Sequence, residues 1–509
     1  MRDRKLFNRI AVTCILACTV MITCLGGCSG NKSDVITLRV SNWEEYIDEG
    51  DWGEEELIEL DDGTEIIGRN SLINDFEEWY NETYGVQVKV EYSTFGTNED
   101  LYNQLTIGDV YDLVCPSEYM IMKLMREGML VPYSSDFRNG NDENNYYENG
   151  VSPYIRSVFD DLSIEGEPLS RYAAGYMWGT LGIVYNPDEI TKEEASHWNI
   201  LLNRDYYRRI TIKDSVRDAF FAAAGVHFYD EITSEEFINS PDYHERLSQI
   251  INRTDVETVN SIEDILASAK DNVYSFETDS GKADMVTGKV VANEQWSGDA
   301  VYTLDQAEED GVELCYAVPE ECTNLWFDGW VMLKSGIEQD ARKQHVAEAF
   351  VNYLSKPENA VRNMYYIGYT SVISGGESDI VYDYLNWCYA AGDEEEDEDE
   401  EDAGDEDADA SEDDAQSEEE DELVEYSGIG YFFEADTAEA NSKYSLMTTG
   451  DQLDRQLFAQ YPPMSVLERA VVMACFDDES NERINRSWTN VRCFDLNSLF
   501  GSKRKYESK

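Results

Sequence analysis

Histidine is scarce. The chain of 509 residues carries four, His197, His227, His244 and His345, scattered along its length. His244 is followed by Glu245, but Ser248 stands where a zinc-protease helix needs its second histidine, so that hydrolase signature is missing. No Cys-x-x-Cys pair occurs beyond Cys28, which removes the usual structural zinc sites, and no nucleophile motif is recognisable. Basic residues are few as well: 39 Lys and Arg stand against 106 Asp and Glu, a formal net charge of -67. Such a surface repels nucleic acids and anionic headgroups and draws cations from a distance. Long apolar runs are absent except at the N-terminus.

There, Arg2, Arg4, Lys5 and Arg9 precede the apolar run Ile10 to Thr23, and Leu25, Gly26 and Gly27 lead into Cys28. Basic region, apolar region and small residues before a cysteine form a bacterial lipoprotein signal, with the Cys28 thiol as the acceptor of the lipid. An uncleaved membrane anchor is the alternative, but the run falls short of the roughly 20 residues that span a bilayer. Residues 1–27 are therefore read as signal peptide and 28–35 as tether, placing the protein on the outer face of the bacterial cytoplasmic membrane, held by lipid alone. Outside the cytoplasm Cys115, Cys315, Cys322, Cys388, Cys475 and Cys493 could pair, but buried thiols are the simpler reading.

Aromatic residues are plentiful, and the length suits two domain-sized units. Ile36 to Ser41 reads as a buried strand, and Asp48 to Asp62 as an acidic insertion. Asn70 to Tyr84 has helical spacing and stops at Gly85; Val86, Val88, Val90 and Tyr92 alternate as a strand does. A helix from Asn98 to Leu105, a strand from Asp112 to Cys115 and a helix from Met120 to Glu127 follow. Strand and helix taking turns predict a parallel sheet that gathers ligands at the carboxyl ends of its strands. Further on come an extended segment from Tyr172 to Tyr185, a strand over Ile210 to Lys213 running into a helix, amphipathic helix Ala341 to Leu354, and a helix from Met464 to Met473.

Several aromatic and acidic clusters fall at strand ends. Trp43, Glu44, Glu45 and Tyr46 combine ring faces and carboxylates, the two attractions an ammonium group can use; a surface tryptophan closing a strand is the plainer account. Ser117 sits in a strand-to-helix turn, either as a helix cap or as a ligand group. Asp214 and Asp218, one helical turn apart around Arg217, form either a solvated ion-pair cluster or a cation site. Trp296 and the Trp326 to Trp330 stretch add two more clusters. Between Asp393 and Glu422, 22 of 30 residues are acidic, too charged to collapse; this reads as a disordered, solubilising insertion, with capture of cations as the rival role.

Taken together these motifs resemble the bacterial spermidine/putrescine-binding proteins, extracytoplasmic receptors of polyamine ABC importers. The resemblance runs from about Leu38 to Arg492, broken by Asp48 to Asp62 and by the acidic tract. It rests on Asn42, Trp43, Glu45 and Tyr46; Asn98, Glu99 and Tyr102; Tyr111 to Val114 with Pro116, Ser117 and Tyr119; Trp178 and Gly179; Arg217 with its acidic neighbours; Trp296; Trp326 with Asp328; and Ile367 to Tyr369. It implies an α/β, two-lobed periplasmic-binding-protein fold of type II with the ligand in a cleft between lobes. The lobes are expected at 36–173 with 328–372, and at 174–327 with 373–509.

By the same resemblance Trp43, Tyr46, Tyr119, Trp296, Trp326 and Tyr369 supply aromatic walls, Trp296 and Trp326 flanking the methylene chain. Asp328, Asp218 and Asp214 hold amines, while Glu45 and Ser117 add hydrogen bonds. Ser215 stands where the family has a second adjacent acid, and Met473 where it has a glutamine, which leaves the choice between spermidine and putrescine open. The resemblance implies a monomer that works with permease subunits, without catalytic residues, metal or cofactor. A receptor for another small cationic or amino solute is the alternative; a lipid-anchored hydrolase using Asp214 and Asp218 is the remaining one.

Overall fold

The structure is a computed structural model that describes residues 35–391 and 423–493. Cys28, the signal segment and the acidic tract lie outside the described residues. Among the described residues no helix is long and apolar enough to cross a membrane.

One continuous sheet runs through the molecule, in the order Ser275–Glu277, Ile210–Lys213, Ala292–Trp296, Ala173–Tyr185, Thr323–Leu333, Leu113–Val114, Ile36–Trp43 and Val88–Phe95. At one end Ile36–Trp43 pairs in parallel with Val88–Phe95 and with Leu113–Val114. At the other, Ile210–Lys213 pairs in parallel with Ser275–Glu277 and Ala292–Trp296. These are the βαβ units the alternating pattern predicts, their strands apolar because both faces are covered. Gly85 closes its helix in the left-handed conformation at φ 67°, as expected of a residue without Cβ.

Two long antiparallel strands join the halves. Ala173–Tyr185 and Thr323–Leu333 are buried along their whole length and pair from Leu325 with Thr180 to Val331 with Ala173. Their register shifts between Asp328 and Gly329. A bulge of this kind twists the strand locally and re-aims a side chain.

Each half has its own apolar core. One packs Leu38, Val40, Phe76, Trp178 and Phe350; the other packs Leu181, Ile183, Ile212, Phe220 and Ile262. The core changes between Trp178 and Leu181 on one crossing strand and between Cys322 and Leu325 on the other, a few residues from the expected boundaries. The assignment of all of 373–509 to the second lobe needs correction. Tyr384, Tyr426, Phe432 and Tyr461 belong to the first core, where Phe432 stacks on Trp178 at 5.7 Å and Tyr431 meets Tyr154 edge-on at 5.3 Å. Aromatic area of this kind decides where a segment docks. The chain returns to the other half in two steps, through Ala459 and Val466, which pack in a further apolar cluster with Val184 and Leu304, and from Val471, which joins the second core.

Three local expectations also change. The helix read over Met464 to Met473 stops at Leu467, because Ala470–Val471 pairs instead with Thr323 and Asn324. The Asp48 to Asp62 stretch is anchored rather than looped out: Asp48 bonds Arg362, and Trp52 packs on Tyr365 at 4.8 Å. Cys115, Cys315 and Cys322 are buried free thiols.

Candidate functional site

Asp328 sits at the bulge, 6% exposed, where the two halves meet. Ser117 Oγ donates to its Oδ1 at 2.8 Å and Tyr46 OH to its Oδ2 at 2.8 Å. Trp43 Nε1 is buried without a hydrogen bond of ordinary geometry and leans toward the same carboxylate. Burial pushes the Asp328 carboxyl up to about 6, against the pull of the Ser117, Tyr46 and Trp43 donors toward the anion. Among the described residues no cation pairs with it. Ser117 occupies the cap position of helix Glu118–Arg126, yet its hydroxyl makes no capping bond and is spent on Asp328. The side-chain capping reading of Ser117 is therefore not met; its hydroxyl holds Asp328 instead.

From Asp328 the contacts form a closed circuit through both halves. Ser117 Oγ accepts from Asn98 Nδ2 at 3.1 Å, and Asn98 Nδ2 also reaches Tyr119 OH at 3.1 Å. The Arg217 guanidinium lies 4.4 Å over the Tyr119 ring and 4.1 Å over Phe476, with Nη2 donating to the Ala474 carbonyl at 2.8 Å. Its neighbour Asp218, 7% exposed, accepts from Trp296 Nε1 at 3.2 Å. Lys213 Nζ sits 4.3 Å over Trp296 and bonds Asp299 Oδ2 at 3.0 Å. Tyr369 OH donates to Asp299 Oδ1 at 2.8 Å, and its ring meets Tyr46 edge-on at 5.0 Å and Trp326 at 5.7 Å. Tyr46 returns the circuit to Asp328.

Two glycines make this approach possible. A Cβ on Gly298 would lie 2.3 Å from the Tyr369 ring, and one on Gly179 would lie 2.5 Å from Trp326.

Nine of the eleven expected site residues thus belong to one neighbourhood: Trp43, Tyr46, Ser117, Tyr119, Asp218, Trp296, Trp326, Asp328 and Tyr369. Glu45 and Asp214 do not. Glu45 is exposed, its backbone in the left-handed region at φ 52°, and none of the contacts above involves its side chain. Asp214 precedes the helix, which begins after Ser215, and its Oδ2 pairs with Arg492 Nη2 at 2.7 Å. It therefore shares no helix face with Asp218, and its charge is already matched.

Five charged groups at this junction, four buried and Lys282 partly so, escaped the sequence reading. Lys213 and Lys282 bracket Asp299 at 3.0 and 3.6 Å, and despite burial the two ammoniums hold its carboxyl down to about 2. Asp299 therefore needs no further cation. Glu118, 1% exposed, is pushed up to about 8 by burial and by Asp328; Glu294, fully buried, is pushed up to about 8 by burial and by Asp218. Burial also raises Asp218, against the pull of Ser215, Trp296, Lys213 and Arg217. Residue type alone gave no sign of these burials. Among the described residues no cluster of histidine, cysteine and acidic side chains could hold a metal ion.

Residues 71–380 match the family model for bacterial extracellular solute-binding proteins. A spermidine/putrescine-binding periplasmic protein of Salmonella typhimurium is 25% identical over 351 residues, 68% of this chain and 80% of that protein. The putrescine-binding periplasmic protein PotF of Escherichia coli is 25% identical over 281 residues, 53% of this chain and 67% of that one. Among solved structures, the substrate-binding protein PotD of a spermidine/putrescine ABC transporter from Streptococcus pneumoniae superposes with a TM-score of 0.54 at 22% identity, covering 90% of this chain and 99% of that one. A putative spermidine/putrescine ABC transporter from Listeria monocytogenes gives 0.56 at 20% identity with the same coverage. A family model that spans more than half of the chain, and a shared two-lobed α/β fold, make it a member of the bacterial extracellular solute-binding proteins, which are binding proteins and not enzymes.

Proposed function

We propose that the chain is a polyamine receptor, lipid-anchored through Cys28 on the outer face of the cytoplasmic membrane, that hands its ligand to an ABC importer permease. The observation that carries this is Asp328: a buried carboxylate, held by two neutral hydroxyls and ringed by Trp43, Tyr46, Tyr369 and Trp326, with no protein cation paired to it among the described residues. A carboxylate in that position is costly unless a cation joins it. Relatives named as spermidine- or putrescine-binding periplasmic proteins point to the same ligand class.

A polyamine is an apolar thread with an ammonium at each end. Asp328 takes one end and Asp218, with the Trp296 indole beside it, takes the other; the Trp296 and Trp326 rings cover the methylenes. Each ring contact with an ammonium is worth about 0.5–2 kcal/mol depending on how dry the site is. A micromolar ligand needs only about 8 kcal/mol, so two ion pairs and several rings suffice after the ordering costs. The crossing strands act as the hinge between halves, and closure over the ligand supplies the shape a permease reads. No bond of the ligand is made or broken.

Calorimetric titration with spermidine, putrescine, cadaverine and arginine tests the reading. Micromolar or tighter binding of a polyamine, with arginine at least about tenfold weaker, is the expected result. Tight arginine binding without polyamine binding would assign the site to a different cationic solute.

A further inference from the structure

Helix Gln456–Gln460 has five residues, yet both halves hold it. On one side Gln456 Nε2 donates to Asp305 Oδ1 at 2.9 Å and to Glu308 Oε2 at 3.3 Å, both on helix Ser297–Glu309 of the second half. Just ahead of it Arg455 Nη2 pairs with the same Glu308 oxygen at 3.0 Å, and the Tyr316 amide, also of the second half, donates to the Asp454 carbonyl at 2.7 Å. On the other side Thr370 Oγ1 donates to the Gln460 carbonyl at 3.3 Å, and Gln460 Nε2 to the Gly368 carbonyl at 3.4 Å. Apolar packing divides in the same way: Leu457 and Tyr461 join the first core, while Ala459 packs with Val184 and Leu304.

Gln456 and Gln460 are 3% and 5% exposed, so these bonds are shielded from water, and a buried amide that loses its partner is costly. A hinge rotation about the crossing strands moves Asp305 and Glu308 relative to Gly368 and Thr370. A short rigid helix cannot follow both, so opening breaks one set of bonds. The bonds on the first-half side also fix the two neighbours of Tyr369, whose hydroxyl bonds Asp299 and whose ring meets Tyr46. The helix lies beyond residues 71–380, the stretch that the family model matches.

We propose that helix Gln456–Gln460 is a clamp between the halves, which limits how far the slot opens and holds Tyr369 in its wall. Gln456 and Gln460 are positioning residues, acting through the halves they join and not on the solute. The clamp needs the two-lobed fold alone and holds whichever solute the slot takes.

Small-angle X-ray scattering of the ligand-free protein reads the opening directly. Arg455→Ala with Gln456→Ala removes the side-chain bonds to the second half; this double variant is expected to show a larger radius of gyration than the wild type and a larger contraction on adding spermidine. Its spermidine affinity is expected to weaken about three- to tenfold, because binding then draws on a smaller closed fraction. Gln456→Glu, close in size, sets a further carboxylate against Asp305 and Glu308, and its swelling is expected to shrink as salt screens the repulsion. Lys443→Ala removes the ion pair with Glu434, which does not join the halves, and is expected to change neither readout. Folded variants that scatter like the wild type would overturn the clamp, as would a double variant that melts lower without swelling, which would leave the helix a structural element only. A wild type that contracts on spermidine as much as the double variant would overturn it too. Absence of spermidine binding would remove the polyamine reading and leave the ligand-free scattering to decide the clamp.

Discussion

Asp48 and Asp112, in the body of the first half, are as deeply buried as Asp328 and Glu118 where the halves meet, but their surroundings differ in kind. Asp112 receives Lys343 Nζ at 2.9 Å on each oxygen and the Arg39 amide at 2.7 Å. Asp48 holds the Arg362 guanidinium, the Gly50 amide at 2.7 Å and the Trp52 indole at 3.1 Å. Those acids are internally complete: cation and hydrogen bonds come from the chain itself. Asp328 and Glu118 have neutral donors or none. Burial of charge is thus not the mark of a site here, nor is a missing counter-charge alone, since Glu348 in the same body is buried on Ser134 and Gln344 with no cation among the described residues; what sets Asp328 apart is a missing counter-charge where the halves meet and aromatic rings gather.

The largest effect that sharpens this contrast is expected in the body. Arg362→Met strands Asp48, and removing one partner of a buried pair costs about 3–5 kcal/mol. Urea unfolding of the ligand-free protein measures it; a loss under about 1 kcal/mol would mean that the pair is not what holds this region.

Asp328→Asn is expected to move stability the other way. Its folded-state pKa lies above the ordinary 3.8, so on rising from pH 4 to 6 the unfolded chain releases this proton first and stability falls. By pH 7 the ionised carboxylate costs about 1–3 kcal/mol, which the amide avoids. Binding suffers instead: a polyamine ammonium left unpaired in the site loses about 2 kcal/mol or more, roughly 30-fold in affinity. A variant that is less stable and binds normally would reverse the contrast and remove Asp328 from the site.

Much of this contrast was legible in the sequence, but not the part that decides it. Trp43, Tyr46, Trp296, Trp326 and Asp328 stood out because aromatic and acidic residues clustered at strand ends, where α/β sheets collect ligands. Local periodicity also placed the flanking elements, as at Gly85. What could not be read is long-range matching of charge. Asp214 read as a partner of Asp218 around Arg217, in an ion-pair cluster or a cation site, whereas its ion pair is with Arg492, 278 residues away in sequence. Glu118 looked like one residue of a strand-to-helix turn ahead of a helix read from Met120, and nothing local tells that the helix starts at Glu118 or that its start is buried. The bulge at Asp328 and the strand at Ala470–Val471 are likewise set by a partner strand rather than by their own residues.

A smaller effect follows from pH. Only the ionised Asp328 attracts an ammonium, and its pKa of about 6 leaves about a tenth ionised at pH 5 and about nine-tenths at pH 7. Polyamine affinity is expected to drop about tenfold over that interval. Flat affinity from pH 5 to 7 would show that Asp328 does not exchange its proton for the ligand.

The smallest effect is expected from removing residues 393–422. The described chain on either side docks on one strand: the Ala391 amide bonds the Met447 carbonyl at 2.9 Å, and Leu423–Tyr426 pairs with Leu446–Thr449 from Leu423 opposite Thr449. The two ends of the tract therefore leave from neighbouring points, and a short glycine-serine bridge can join them without moving the core. The tract's 22 acidic residues contribute long-range attraction for a polycation, which salt screens beyond about 10 Å. Deletion is expected to change the equilibrium affinity at high salt by less than about twofold, and to lower the association rate at low salt, with a shallower salt dependence. Stopped-flow association across ionic strength separates the two contributions. A loss of affinity that persists at high salt would mean that the tract touches the ligand or braces the site, and the distinction between a self-sufficient body and a ligand-completed junction would then have to include it.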